Sequence, residues 1–161
     1  MINIRKGVKK DKKTMQELLV DTIHEICKLD YNQQQRDVWA AGVENKERWD
    51  NVFIQQEIWV AELQKVMVGF CTLKDQNYID FFYVHKDYQR QGVAKILFEE
   101  LESHAISKKQ AHLISDVSIT AKSFFENLGF VEVKKQTIIK DGIELTNSKM
   151  KKVLLSSTSS S

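Results

Sequence analysis

Proline is absent from all 161 residues, and cysteine occurs only twice, as Cys27 and Cys71. Without proline, helix ends are marked only by glycine and polar caps, so elements are better specified than their boundaries. The two cysteines lie far apart and show no CxxC or Cys/His spacing, which argues against a zinc site and predicts free thiols in a reducing compartment. No metal is expected. Long apolar runs are missing as well: no stretch of 18 apolar residues occurs, and the opening "MINIRKGVKKDKK" lacks the apolar core of a signal peptide. The expectation is a cytoplasmic protein with no membrane partner. Nor is there an excess of one charge, since 24 Lys plus Arg stand against 22 Asp plus Glu for a formal net charge of +2. That balance gives no global attraction for nucleic acid, and the lysines of "VKKDKK" and "KMKK" read as solvated faces. Any anion site must be local.

What is present is the composition of a soluble globular protein, with 42% hydrophobic and 29% charged residues. The length predicts a single domain over 1–154, followed by a disordered polar tail over 155–161 that ends in "SSTSSS". "INIRKG" alternates as a first strand, and the apolar spacing over 11–29 is helical. "DYNQQQRDVWAAGV" and "NKERWDNVFIQQ" read as two shorter helical pieces joined around Gly42. From Ile58 the period becomes that of strands: "IWVAELQ", "KVMVGFCTLK" and "YIDFFYV" predict three sequential antiparallel strands. A helix over about 91–107, the short strand "AHLISDV", a helix capped by Ser118 and ended by Gly129, and a hairpin through "KDG" complete the order. This is an α+β chain with a mixed, mostly antiparallel central sheet flanked by helices.

The stretch with chemical content is "QRQGVA", residues 89–94. It follows a strand and opens a helix, where unpaired N–H groups and the helix dipole favour an anion. Gly92 permits positive φ or close approach, Ala94 keeps the wall small, and Arg90 can add a charged contact. There is no GK[ST] of a Walker loop and no GxGxxG dinucleotide fingerprint. By itself, the segment reads more simply as a plain glycine turn with exposed Gln and Arg.

"YVHKDYQRQGVAKILFEELE" resembles the acetyl-CoA-binding signature of the GNAT N-acetyltransferase superfamily, a Q/R-x-x-G-x-G/A core between strand and helix, here Gln89, Arg90, Gln91, Gly92, Val93 and Ala94. "SITAKSFFENLGF" is similar to the superfamily's later A-x-x-F-Y-E-x-x-G-F segment, here Ala121, Phe124, Phe125, Glu126, Gly129 and Phe130. The two blocks cover about 83–130. The "FF" form and the closing "GIELTNSKMKK" resemble a bacterial subgroup of GNAT acetyltransferases.

The resemblance implies acetyl transfer from the co-substrate acetyl-CoA to a primary amine by direct attack in a ternary complex. It also implies that the strand before the cradle splays from its neighbour, so that Phe82, Tyr83 and Val84 pair with the pantetheine arm. The amides of 90–95, Lys95 included, would hold the pyrophosphate. Ser118, Ala121, Phe124 and Phe125 would flank the cofactor's other side, although Ser118 reads equally as a helix cap.

Strict alternation places Tyr78, Asp80, Phe82 and Val84 on one strand face. The family often carries its base on that strand, which makes Asp80 the nearest match, with Glu62 a weaker one, while the Val84 N–H would serve the carbonyl oxygen. Many members carry Tyr at the position of Phe125, where it protonates the departing thiolate. A phenyl ring cannot, which leaves water, Tyr83 or Tyr31. Tyr31, Trp39, Trp49, His24 and Asp80 are candidates for lining the acceptor pocket. Small-molecule and protein amines, and a homodimer, stay open. The competing reading is a non-catalytic acyl-CoA-binding regulatory module, motivated by Phe125 and separable by acceptor-dependent release of thiol.

Overall fold

A computed structural model describes residues 1–154; the polar tail expected over 155–161 lies outside the described residues. Strand β1 (Asn3–Lys6) leads into α1 (Lys12–Ile26), α2 (Gln33–Ala40) and α3 (Lys46–Gln55). Then come β2 (Glu57–Leu63), β3 (Val66–Lys74), β4 (Tyr78–Val84), α4 (Val93–Ser107), β5 (His112–Ser118), α5 (Lys122–Asn127), β6 (Val131–Lys140) and β7 (Ile143–Val153). The strands form one sheet in the order β1-β2-β3-β4-β5-β7-β6. Only the β4–β5 pair is parallel. The fold is therefore α+β, with a mostly antiparallel sheet, as the strand periods predict.

Helices cover both sheet faces. The apolar stripe of α1 (Met15, Leu18, Leu19, Ile23) packs with Trp49 of α3 against Phe70 and Phe81, and α4 packs Val93, Leu97 and Leu101 against the opposite face. Covered on both sides, β3 is buried continuously from Met67 to Leu73, which explains its unbroken apolar run. The two-residue turn of the β6–β7 hairpin uses positive φ at Asp141 and Gly142, as its twist requires. No helix among the described residues is long and apolar enough to cross a membrane.

Two irregularities position the cleft described below. The parallel β4–β5 pairing covers only Tyr78↔Ile114 and Ile79↔Ser115, after which the strands part. On its other edge, β4 pairs Thr72↔Phe81 and then Leu73↔Ile79, so Asp80 is the extra residue of a β-bulge. The bulge corrects the expectation of strict alternation. Asp80 hydrogen-bonds to Arg48 on α3, and Phe81 stacks on Trp49 of the same helix. Phe82 turns to the opposite face and packs on Phe124 and Phe125. Asp80 therefore does not share a face with Phe82 and Val84.

Gly69 of β3 lies where α4 crosses the sheet. A Cβ there would stand 3.0 Å from Leu97 Cδ1, the Tyr83 carbonyl oxygen and Val93 Cγ1. The carbonyl cannot rotate aside, so Gly69→Ala is expected to cost about 1–3 kcal/mol through overpacking. Denaturant unfolding midpoints of variant and wild type check this.

Candidate active site

Where β4 and β5 part, a cleft of about 890 Å³ runs between α1 and α3 on one side and α4 and α5 on the other. It gathers almost every residue the sequence nominated. Of the cradle residues and those flanking the cofactor, Gln91 is the one that the wall lacks among the described residues. His24 and Glu62 are also outside it, and Glu62 pairs instead with Arg5 at 3.1 Å. Trp49 does line it, although its ring is core, 1% exposed and stacked on Phe81.

The loop before α4 is held from behind. The Val84 carbonyl accepts from Thr22 Oγ1 at 3.0 Å and Gln89 Nε2 at 2.7 Å, while the His85 N–H donates to the Val68 carbonyl at 2.8 Å. The Gln89 side chain thus anchors the loop, and the Gln91 side chain turns back to the Asp87 carbonyl at 3.5 Å. Backbone is left facing the cleft. Arg90 and Gly92 adopt φ of +61° and +85°, and Gly92 is the N-cap of α4. Such a turn converges successive N–H groups into an anion-binding concavity. The first bond into the helix is Ile96 N–H to the Gly92 carbonyl at 3.1 Å. Hence the amides of Val93, Ala94 and Lys95 have no acceptor within the helix. A Cβ at Gly92 would meet nothing within 4 Å, so the space before these amides is open to a ligand.

Beyond Ile79, β4 has no β5 pairing, which leaves a strand edge facing the cleft. On the α5 side, Phe82 meets Phe124 and Phe125 with ring centroids 5.9 and 5.8 Å apart. Phe125 is itself 3% exposed and packs edge-on against Phe130. That contact belongs to the helix stop, where Gly129 N–H bonds to the Glu126 carbonyl and Phe130 N–H to the Phe125 carbonyl. Gly129, at φ +101°, takes the left-handed conformation predicted for it. Ser118 Oγ accepts from the Ala121 N–H at 3.1 Å, so the serine caps the turn before α5. The helix proper is shorter than its sequence pattern, because residues 119–121 form turns.

The α1–α3 side is polar. Arg48 grips Asp80 with two contacts of 3.2 Å, Gln56 Nε2 adds a third at 2.8 Å, and the guanidinium lies over the Phe81 ring. Tyr83 stacks on Phe70 at 5.8 Å. Burial pushes its phenol pKa well above the ordinary range, with the Trp39 indole pulling the other way, so Tyr83 keeps its proton at neutral pH. Tyr31 is 4% exposed, and its hydroxyl donates to the Thr146 carbonyl at 2.7 Å and accepts from the Ile119 N–H at 2.9 Å. Trp39 sits edge-on to Tyr31 at 5.1 Å. With both its donor and an acceptor site in use, the Tyr31 hydroxyl has no proton to lend. Its thiol neighbour Cys27 is buried and free, as is Cys71 of β3.

Sequence reasoning missed Arg48, Gln56, Tyr78, Asp116 and Asn147 in or beside this cleft. The charge within "HLISDVS" is a signal that could have drawn attention to Asp116, whereas Arg48 and Gln56 meet Asp80 only in the fold, 32 and 24 residues away in sequence. Among the described residues, no group of three or more His, Cys, Asp or Glu could hold a metal ion.

Tyr31→Phe removes the side-chain acceptor of the half-buried Ile119 N–H. The expected loss is about 1–3 kcal/mol of unfolding free energy, measured by chemical denaturation.

Residues 27–154 match the family model described as an acetyltransferase (GNAT) domain. The uncharacterized N-acetyltransferase YafP of Escherichia coli (strain K12) is 37% identical over 121 residues, 75% of each chain. A crystal structure of a GCN5-related N-acetyltransferase from Rhodopseudomonas palustris is similar at a TM-score of 0.90 and 30% identity, covering 94% of this chain and 95% of that one. The PaiA N-acetyltransferase of Thermoplasma acidophilum, solved in complex with coenzyme A, has the same fold at a TM-score of 0.77 and 20% identity, covering 96% of this chain and 99% of that one.

Proposed function

Because the chain belongs to the GNAT acetyltransferase family, we propose that it moves the acetyl group of acetyl-CoA directly to a primary amine while both are bound. It is an N-acetyltransferase using acetyl-CoA as co-substrate; the direct route and the amine class are our reading. The observation that carries it is the open turn at Gly92, whose free amides face the cleft between the parted strands.

In this reading, the amides of 92–95 and the Arg90 guanidinium hold the pyrophosphate. The free edge of β4 at Phe82, Tyr83 and Val84 receives the pantetheine arm as an added strand. Ser118, Ala121, Phe124 and Phe125 wall the opposite side, and the Val84 N–H serves the thioester carbonyl oxygen. The amine enters from the side of Tyr31 and Trp39. Acetyl-CoA supplies an activated thioester; the residues around it bring the nitrogen to the carbonyl carbon and exclude competing water.

Asp80 receives a narrower role than its sequence position suggested. Three donors already occupy its carboxylate. We assign it to holding Arg48 over Phe81 at the wall of the acceptor side. Tyr83, protonated at neutral pH, is the group to which we assign a hydrogen bond to the departing sulfur.

Gly92→Glu adds both a side chain and a negative charge where the pyrophosphate is assigned. Calorimetric titration with coenzyme A is expected to show at least about a tenfold loss of affinity, equivalent to roughly 1.4 kcal/mol; unchanged affinity would refute the cradle. Thiol release that rises with added primary amine supports transfer, whereas binding without acceptor-dependent release supports the regulatory module. Phe125→Tyr is expected to alter turnover by no more than about threefold, because a thiolate whose acid has a pKa of about 8.5 is a tolerable leaving group. A large, pH-dependent gain in thiol release would show instead that proton donation limits the wild-type enzyme.

A further inference from the structure

Asp116 stands at the fork of the sheet. It directly follows Ser115, the last β5 residue paired with β4, and it lines the cleft. Alternation along β5 separates its side chain from Leu113 and Val117, which enter the α4-side core, and puts it on the acceptor side with Ile114 and Ser118. Each carboxylate oxygen accepts one hydrogen bond from a neutral donor: Oδ2 from the Tyr78 hydroxyl at 2.7 Å and Oδ1 from Gln136 Nε2 at 2.6 Å. Each oxygen keeps a further acceptor direction, and the residue is exposed. Asp80, two residues beyond Tyr78 on β4, is by contrast committed to Arg48 and Gln56.

A second observation lies beside it. Among the described residues, the buried Asn147 side-chain oxygen has no hydrogen-bond partner, and Asn147 lines the same cleft. Register places it opposite Ser118 on β5 and Gln136 on β6, so it shares the sheet face of Asp116. A buried carbonyl oxygen with no donor is costly unless something supplies one. An ammonium ion carries three N–H donors, and the fork offers it a carboxylate with room and an amide oxygen with none of its valence used.

We propose that Asp116 is the proton acceptor for the amine, with Tyr78 as the positioning residue that fixes its carboxylate. This rests on the acetyltransferase reading above. The acceptor ammonium gives one proton to Asp116. The freed lone pair forms the C–N bond at the thioester carbonyl carbon as the C–S bond breaks, and the nitrogen's second proton passes to the thiolate, directly or through water. Asp116 then returns its proton to solvent. The Tyr78 phenol keeps its own proton throughout, since burial and then the Asp116 hydrogen bond raise its pKa far above neutrality. The other charged groups facing this position are Asp80 on β4, Arg48 on α3, Lys149, the register partner on β7, and Lys134 beyond it on β6. Among the described residues, Asp116 forms no ion pair with any of them.

The test follows thiol release from acetyl-CoA across about pH 5 to 9. Water serves first as the only acceptor, then 2-phenylethylamine, then its less basic β,β-difluoro analogue. Asp116→Asn, Tyr78→Phe and Asp80→Asn are compared with wild type, and acetyl-CoA affinity reports on each variant's integrity. Asp116→Asn is expected to keep that affinity and to lower the release rate to 2-phenylethylamine by about a hundredfold. Its deficit should shrink with the difluoro amine, which has less need of a base. Tyr78→Phe should lower kcat with little change in KM for the amine, and its deficit should shrink with the difluoro amine in the same way. The proposal is overturned if Asp116→Asn releases thiol to 2-phenylethylamine at the wild-type rate, or if the loss that the difluoro amine relieves appears in Asp80→Asn instead. Wild type that binds acetyl-CoA yet releases thiol to none of the acceptors would overturn the acetyltransferase reading itself, a separate and earlier failure.

Discussion

The parallel contact between β4 and β5 lasts for two register positions, Tyr78↔Ile114 and Ile79↔Ser115, and the remaining architecture is arranged around its ending there. A sheet interior normally satisfies the backbone on both edges of a strand. Here β4 keeps its antiparallel partner β3 but loses β5, so an interior strand acquires a free edge without reaching the outside of the sheet. Ser115 Oγ donates to the Ile79 carbonyl at 2.9 Å, closing the last joint before the gap. On either side of it, the sheet is knitted by long antiparallel pairings, β2–β3 and β6–β7 among them, which carry the stability that the opening does not.

The gap has two unlike walls. Toward α5 it is phenyl: Phe82, Phe124 and Phe125 pack ring against ring, which suits an apolar thioester arm. Toward α3 it is polar, with Asp80 under the Arg48 guanidinium and Asp116 under the Tyr78 phenol. The bulge at Asp80 creates this division, because one extra residue reverses which side chains of β4 face which helices. Without it, Phe81 would follow Ile79 into the α4-side core and leave Trp49. Two carboxylates in one cleft thereby acquire different partners, one cationic and one neutral, the kind of contrast that lets like groups take unlike roles.

The features legible in the sequence were local ones. Gly92 before an amphipathic helix, Gly129 after a short one and Asp141-Gly142 in a hairpin each need a backbone conformation that few residues adopt, so the residue names the geometry. Apolar spacing placed the helices and strands for similar reasons. Side chains whose role comes from distant partners were not legible. Arg48 and Asp80 are 32 residues apart, and Tyr78 and Asp116 are 38 apart. A bulge leaves the period of the sequence unchanged while moving every later side chain to the other face, so no reading of alternation could locate it. Tyr31 was foreseen as pocket lining, but the saturation of its hydroxyl depends on Thr146, 115 residues downstream.

That last hydrogen bond bears on when the site comes into being. The Tyr31 hydroxyl joins the loop after α1 to the turn before α5 and to β7. During synthesis the early helices and β2–β4 emerge first and can pack as a unit, since domains tend to form from the N-terminal side. The cleft's far wall, with Leu145, Thr146 and Asn147, belongs to the final strand. A nascent chain therefore carries an incomplete cleft until β7 has been made, and the near wall waits for its far wall.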